Sequence, residues 1–193
     1  MNPKWMAVCA LAGLFVWNPA WAESFTPALV PGTLILDSSG QNGNINAWKI
    51  DDVGSINAVR TSVRVHRLDY DPFKTPSFTV TLSGGDYKVV FNILSKDFKP
   101  PLSMRLEHWV DGAFYDQRTF SATLNRDESL DVAIDWTEDG KVTVQAGGET
   151  KTIYLGAPVT FVEFSASVGE IDFAPFKVGH VSAPARPLGP YSL

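Results

Sequence analysis

SLDVAIDWTEDGKVTVQAGG, residues 129–148, alternates apolar and polar side chains, turns at Asp139-Gly140, and alternates again. A period of two marks a strand with one buried face, and an Asp-Gly pair supplies the positive φ angles of a tight hairpin. Leu130, Val132, Ile134 and Trp136 therefore form the core side of one strand, and Asp131, Ala133 and Asp135 the far side. Four residues separate the two aspartates, about 13 Å along a strand. Catalytic carboxylates of glycosidases stand about 5–5.5 Å apart in retaining enzymes and about 6.5–9.5 Å apart in inverting ones. The spacing favours a solvated face over a catalytic pair.

The same signature extends in both directions. Strand-like segments run over 45–50, 58–68, 77–82, 86–94, 103–110, 113–120, 129–136, 141–146, 150–155, 159–168 and 170–178. They are rich in Val, Phe and Thr and are punctuated by Gly, Pro, Asp and Asn. Gly84-Gly85 and Asp111-Gly112 supply two more hairpin turns, so successive strands run antiparallel. No helical period and no repeat of propeller or solenoid length recurs. The expectation is a single all-β domain, a sandwich or barrel.

Residues 1–22 read as a secretory signal, with Lys4, an apolar stretch over 6–16 and a small-residue site at Ala20-Trp21-Ala22. The apolar stretch is shorter than the about 20 residues a membrane span needs. The expected divisions are signal 1–22, β-sandwich domain 23–178, and a Pro-rich tail 179–193. Cys9, the only cysteine, lies in the signal, so the exported chain has no disulfide. Export without disulfides suits a bacterial periplasm or exterior. Without Lys4 the balance is 15 basic against 21 acidic residues. No basic stripe exists, so nucleic acid is not an expected partner, and no second apolar run predicts a membrane span.

Over 129–179, the strand LDVAIDW, the hairpin into KVTVQAGGETKTIYL, and VTFVEFSASVGEIDFAPFKVG resemble the final third of a concanavalin A-like lectin/glucanase domain. The resemblance implies a two-sheet antiparallel jelly-roll sandwich over most of the mature chain. Such domains serve as lectins, glycoside hydrolases, polysaccharide lyases or adhesion modules, so function rests on particular residues. The glucanase branch carries Glu-x-Asp-x-Glu on one strand; here Asp131, Ala133 and Asp135 occupy those positions. Alginate-lyase-like jelly rolls carry Arg-Ser/Thr-Glu-Leu-Arg, Gln-Ile/Val-His and Tyr-x-Gln. Their chemistry needs a neutraliser for the uronate carboxylate, a base, and an acid for the leaving oxygen. Arg60 and Arg64 match the arginine spacing, with Ser62 and Val63 in place of Glu-Leu. Tyr115 and Gln117 lie mid-chain, where the family places its pair near the end. No Gln-x-His exists, which leaves His66 and His108 as substitutes.

Alternation also nominates a binding face. With Val59, Val63 and Val65 inward, Arg60, Ser62, Arg64 and His66 point out. With Met104, Leu106, His108 and Val110 on the apolar side, Arg105, Glu107 and Trp109 take the other. An outward Trp beside Arg and Glu suits sugars, whose C–H faces stack on aromatics while hydroxyls bond to charged groups. There is no nucleophile elbow and no zinc-type spacing, so no metal or cofactor is expected. Asp69, Asp71 and the 37–44 loop offer oxygens for calcium without a defined ligand pattern. The leading expectation is a non-catalytic, exported binder of carbohydrate or another cell-envelope component. Its candidate contacts are Arg64, His66, Arg105, Glu107, Trp109, Tyr115 and Gln117. A polysaccharide lyase using Arg64, His66, Tyr115 and Gln117 is the alternative, and a domain that docks a protein partner is the third. Arg, His and Tyr converging in a cleft would favour the lyase; a shallow groove with an accessible Trp109 would favour binding.

Overall fold

The computed structural model describes residues 24–38, 46–51 and 53–182. The signal-like segment, residues 39–44 of the polar loop and the tail from 183 lie outside the described residues. Among those described there are twelve strands and no helix. They are β1 (Ser24–Asp37), β2 (Asn46–Asp51), β3 (Ala58–Leu68), β4 (Ser77–Gly84), β5 (Tyr87–Leu94) and β6 (Leu102–Val110). β7 (Ala113–Leu124), β8 (Ser129–Trp136), β9 (Lys141–Ala146), β10 (Glu149–Tyr154), β11 (Phe161–Ser167) and β12 (Gly169–Ser182) follow.

A first sheet has the order β1-β12-β3-β8-β9-β10 and a second the order β2-β11-β4-β5-β6-β7. Neighbours in both are antiparallel. Each strand turns its apolar alternate residues inward, so Val63, Ile134 and Val144 of the first sheet and Val80, Phe91 and Leu106 of the second share one buried core. Phe164 packs edge-on against Phe173 at 5.5 Å and Phe176 at 5.0 Å, and so joins the sheets. Burying each such ring stabilises the fold by roughly 1.5–3 kcal/mol.

Turns follow the residues that allow them. Asp111 (φ 50°) and Gly112 (φ 75°) close the two-residue loop between Val110 and Ala113. Between β11 and β12, Val168 alone carries the chain from the second sheet to the first. Gly169 follows it, and a Cβ there would lie 2.4 Å from the Arg67 carbonyl oxygen. At one open side, Glu149 of β10 accepts backbone N–H bonds from Ser121 (2.6 Å) and Ala122 (3.1 Å) of β7, tying the two sheets' edges together. The Lys151 ammonium at 2.9 Å, and then those donors, lower its pKa to about 2.

Two boundaries differ from the sequence reading. β1 lies ahead of the first strand expected at 45–50, because Pro27, Pro31 and Gly32 interrupt its alternation. As an edge strand it tolerates prolines, and its register with β12 slips three times. β12 also continues through Ser182, so residues 179–182, assigned to the tail, are strand. Their backbone pairs with β1 whatever their side chains, and the Asn57 side chain exchanges hydrogen bonds with Val181 N–H (2.7 Å) and C=O (3.0 Å).

Candidate binding face

The two aspartates of the opening stretch stand on the outer face of the first sheet. Asp135 accepts a hydrogen bond from Arg60 Nη1 at 2.6 Å, and the Phe25 ring lies 5.3 Å from that guanidinium. Burial raises the Asp135 pKa, against the lowering by Arg60. Asp131 is exposed. Asp131 is thus solvated, as the spacing suggested, while Asp135 is partly buried and paired with Arg60.

Arg64 and His66 share this face. Arg64 donates to Ser129 Oγ at 2.8 and 3.1 Å. His66 Nε2 lies 3.0 Å from Asp172 and Nδ1 3.5 Å from Asp127. The hydrogen bond to Asp172 is the main cause raising the His66 pKa, opposed by partial burial. Two grooves of about 520 and 660 Å³ cross this face. Among the described residues that line them, Trp136 is the one Phe, Tyr or Trp, and it is 4% exposed and part of the core.

Arg105, Glu107, Trp109 and Gln117 stand instead on the outer face of the second sheet, on the far side of the sandwich. Strand pairing arranges that face in rungs. One runs Ser165–Thr79–Asn92–Arg105–Thr119, and the next Lys49–Glu163–Thr81–Val90–Glu107–Gln117. The third runs Asp51–Phe161–Ser83–Lys88–Trp109–Phe114. Glu107 is only 8% exposed although it faces outward. Its carboxylate accepts a hydrogen bond from Trp109 Nε1 at 3.1 Å and lies 3.4 Å from Arg105 Nε. Phe114 packs edge-on against Trp109 at 5.6 Å, so the indole is held on two sides.

Between Phe161 and Trp109 lies a trough of about 440 Å³, lined also by Thr81, Ser83, Lys88, Val90 and Glu163. The two aromatic residues are three strand spacings apart, about 14 Å. Lys49 bridges to Glu163 at 3.0 Å and sits 5.3 Å from the Phe161 ring centre. The sequence reading missed Phe161, Glu163 and Lys88. The signal was present, because Val162 and Phe164 turn inward and leave Phe161 and Glu163 outward.

Tyr115 occupies a third place. Its spacing from Gln117 predicts a shared face, but β7 bulges opposite His108 and Trp109. The bulge sets Phe114 beside Trp109 and turns Tyr115 to the apolar side, where its ring meets His108 at 5.3 Å. His108 itself is 9% exposed, with Nε2 3.3 Å from the Leu155 carbonyl oxygen. The seven nominated residues thus fall into three groups: Arg64 with His66, Tyr115 at the second sheet's edge, and Arg105, Glu107, Trp109 and Gln117 together. Among the described residues no cluster of three metal-ligating side chains occurs, and no helix is long and apolar enough to cross a membrane.

The chain matches no protein-family model and no curated protein by sequence. Its structure is similar to an alginate lyase from Alteromonas sp. 272, at TM-score 0.54 and 12% identity over 83% of this chain and 90% of that one. It is also similar to the polysaccharide lyase family 18 protein aly-SJ02 r-CATD, at TM-score 0.54 and 10% identity over 79% and 89% of the two chains. Caenorhabditis elegans galectin LEC-6 is similar at TM-score 0.51 and 11% identity over 77% and 96%. The chain has the concanavalin A-like jelly-roll fold that its closing strands resemble.

Proposed function

We propose that this chain is an exported, non-catalytic saccharide-binding protein whose ligand lies along the outer face of the second sheet. The observation that carries this reading is the trough between Phe161 and Trp109. Two aromatic side chains bound a floor of hydroxyl, apolar and charged residues, the combination that suits a sugar's C–H faces and hydroxyls together. Trp109 is already fixed by Glu107 and Phe114, so less freedom is lost on binding. Neighbours named as a galectin and as lyases of polysaccharides support a saccharide as the ligand class on this fold.

The non-catalytic part rests on separation. Arg64 and His66 stand on one outer face, Gln117 on the other, and Tyr115 beside His108 at an edge. Export rests on the segment 1–22, and its absence of disulfides points to a bacterial periplasm or exterior.

A glycan array probed with the exported protein tests this, read beside ultraviolet absorbance of unsaturated uronate products. Binding without product, lost in Trp109→Ala, is the expected outcome. Product formation that disappears in Tyr115→Phe would replace the reading with a lyase. No metal is proposed for the site, so binding should survive chelation of calcium.

A further inference from the structure

β7 closes one side of the second sheet. It pairs with β6 along one edge, and among the described residues its other edge meets no strand. From Ala113 to Thr119 it is exposed apart from a half-buried Asp116. The Gln117 N–H donates to Asp116 Oδ1 at 2.7 Å, and the Gln117 C=O accepts from Arg118 Nη1 at 3.2 Å. Both main-chain groups of Gln117 therefore point away from β6, toward where a further strand would pair with them. Farther along, the Ser121 and Ala122 N–H groups are taken by Glu149, so the open part of the edge lies before them.

The side chains on this open part are symmetric in charge about Gln117. Asp116 precedes it and Arg118 follows it. Suppose two copies pair antiparallel about a two-fold axis at Gln117. Each residue ahead of Gln117 then lies opposite the one equally far beyond it in the other copy. Gln117 meets its own counterpart as a doubly hydrogen-bonded pair. Asp116 stands opposite the partner's Arg118, Arg118 opposite the partner's Asp116, and Tyr115 opposite the partner's Thr119. Phe114 and Tyr115, 51% and 73% exposed, lie at the ends of this contact.

An edge guarded against pairing carries one sign of charge, so that copies repel. Here the signs are opposite and symmetrically placed, so that copies attract. The Asp116–Arg118 bridge within one chain, 2.7 Å long, is open to solvent on both sides. Exchanging it for its equivalent across the axis costs little, while main-chain hydrogen bonds and covered aromatic surface are added. We propose that two copies of this chain associate through β7 in this register, joining their second sheets edge to edge. The contact is isologous and closes on itself. It leaves the trough on the outer face open, and the inference stands independently of what that trough binds.

Sedimentation velocity of the exported protein over a concentration series tests it. The wild type should pass from monomer to dimer as concentration rises. Asp116→Arg and Arg118→Asp each set like charges opposite one another at two points, and each should weaken association about tenfold or more. Both positions lie outside the core, and an unfolding curve of each variant checks that it is folded. Mixed in equal amounts, the two variants regain opposite charges across the axis and should dimerise nearly as tightly as wild type. That rescue separates pairing in this register from a charge cap on the edge, whose removal would make each variant associate more strongly than wild type. Wild type that stays monomeric throughout, variants that associate as well as wild type or better, or a mixture no tighter than its components would overturn the proposal.

Discussion

The two outer faces of the sandwich are built by the same alternation and end up chemically different. On the first sheet, the protein answers its own charges: Arg60 with Asp135 at 2.6 Å, and His66 with Asp172 at 3.0 Å and Asp127 at 3.5 Å. On the second, ion pairs also form, Lys49 with Glu163 and Arg105 with Glu107, but aromatic rings flank them, and among the described residues Lys88 between those rings makes no ion pair. The first face has the larger grooves, about 520 and 660 Å³ against about 440 Å³. Groove size and charge density therefore do not choose the binding face. Aromatic surface left open, with polar groups already oriented around it, does.

The largest effect expected from this contrast is on affinity. Trp109→Ala should weaken saccharide binding about 10- to 100-fold, as loss of a central aromatic anchor does, and should also lower the unfolding midpoint, because the nearly buried Glu107 carboxylate loses a donor. Gln145→Ala and Lys177→Ala in the first-sheet groove should leave affinity within about twofold. Titration calorimetry on the best array ligand measures both. If the first-sheet variants weaken binding and Trp109→Ala does not, the two faces exchange roles.

Arg60→Ala sharpens the other side of the contrast. It leaves the partly buried Asp135 carboxylate without its cation, at a cost of about 1–3 kcal/mol in chemical denaturation at neutral pH. Burial already raises the Asp135 pKa above 3.8 with Arg60 present, and removing Arg60 raises it further. A raised carboxyl pKa means that the folded state binds the proton more tightly than the unfolded one. The destabilisation should therefore shrink as pH falls through the folded-state pKa. Saccharide affinity should not change, since Arg60 lies on the opposite face.

Inward and outward positions were legible in the sequence; sheet membership was not. Alternation in AVRTSVRVHRL and SMRLEHWV assigns Arg64 and Trp109 to outer faces, and both are there. It cannot say that β3 and β6 belong to different sheets, because that depends on crossovers such as the one at Val168. Tyr115 was misplaced for a local reason: one bulge in β7 reverses the facing that a period of two predicts. β1 went unread because the prolines an edge strand tolerates are the residues that usually exclude a strand. His108 was legible as a core histidine, since its parity matched Met104 and Leu106.

The smallest predicted effect tests whether the first face is structural. His66 has its pKa raised above 6.5, chiefly by the hydrogen bond to Asp172, with Glu170 and Asp127 adding to it and partial burial opposing. A raised histidine pKa contributes stability that is fully present below 6.5 and is lost as pH rises through the folded-state value. The side chain is 33% exposed, so the contribution is a few tenths of a kcal/mol after solvent screening. The difference in unfolding midpoint between wild type and His66→Gln should accordingly be widest on the acid side and close toward alkaline pH. A gap of constant size would mean that His66 acts by packing alone. A change in saccharide affinity in this variant would mean that the face opposite the trough takes part in recognition. Neither follows from a histidine whose two ring nitrogens are already turned to the protein's own carboxylates.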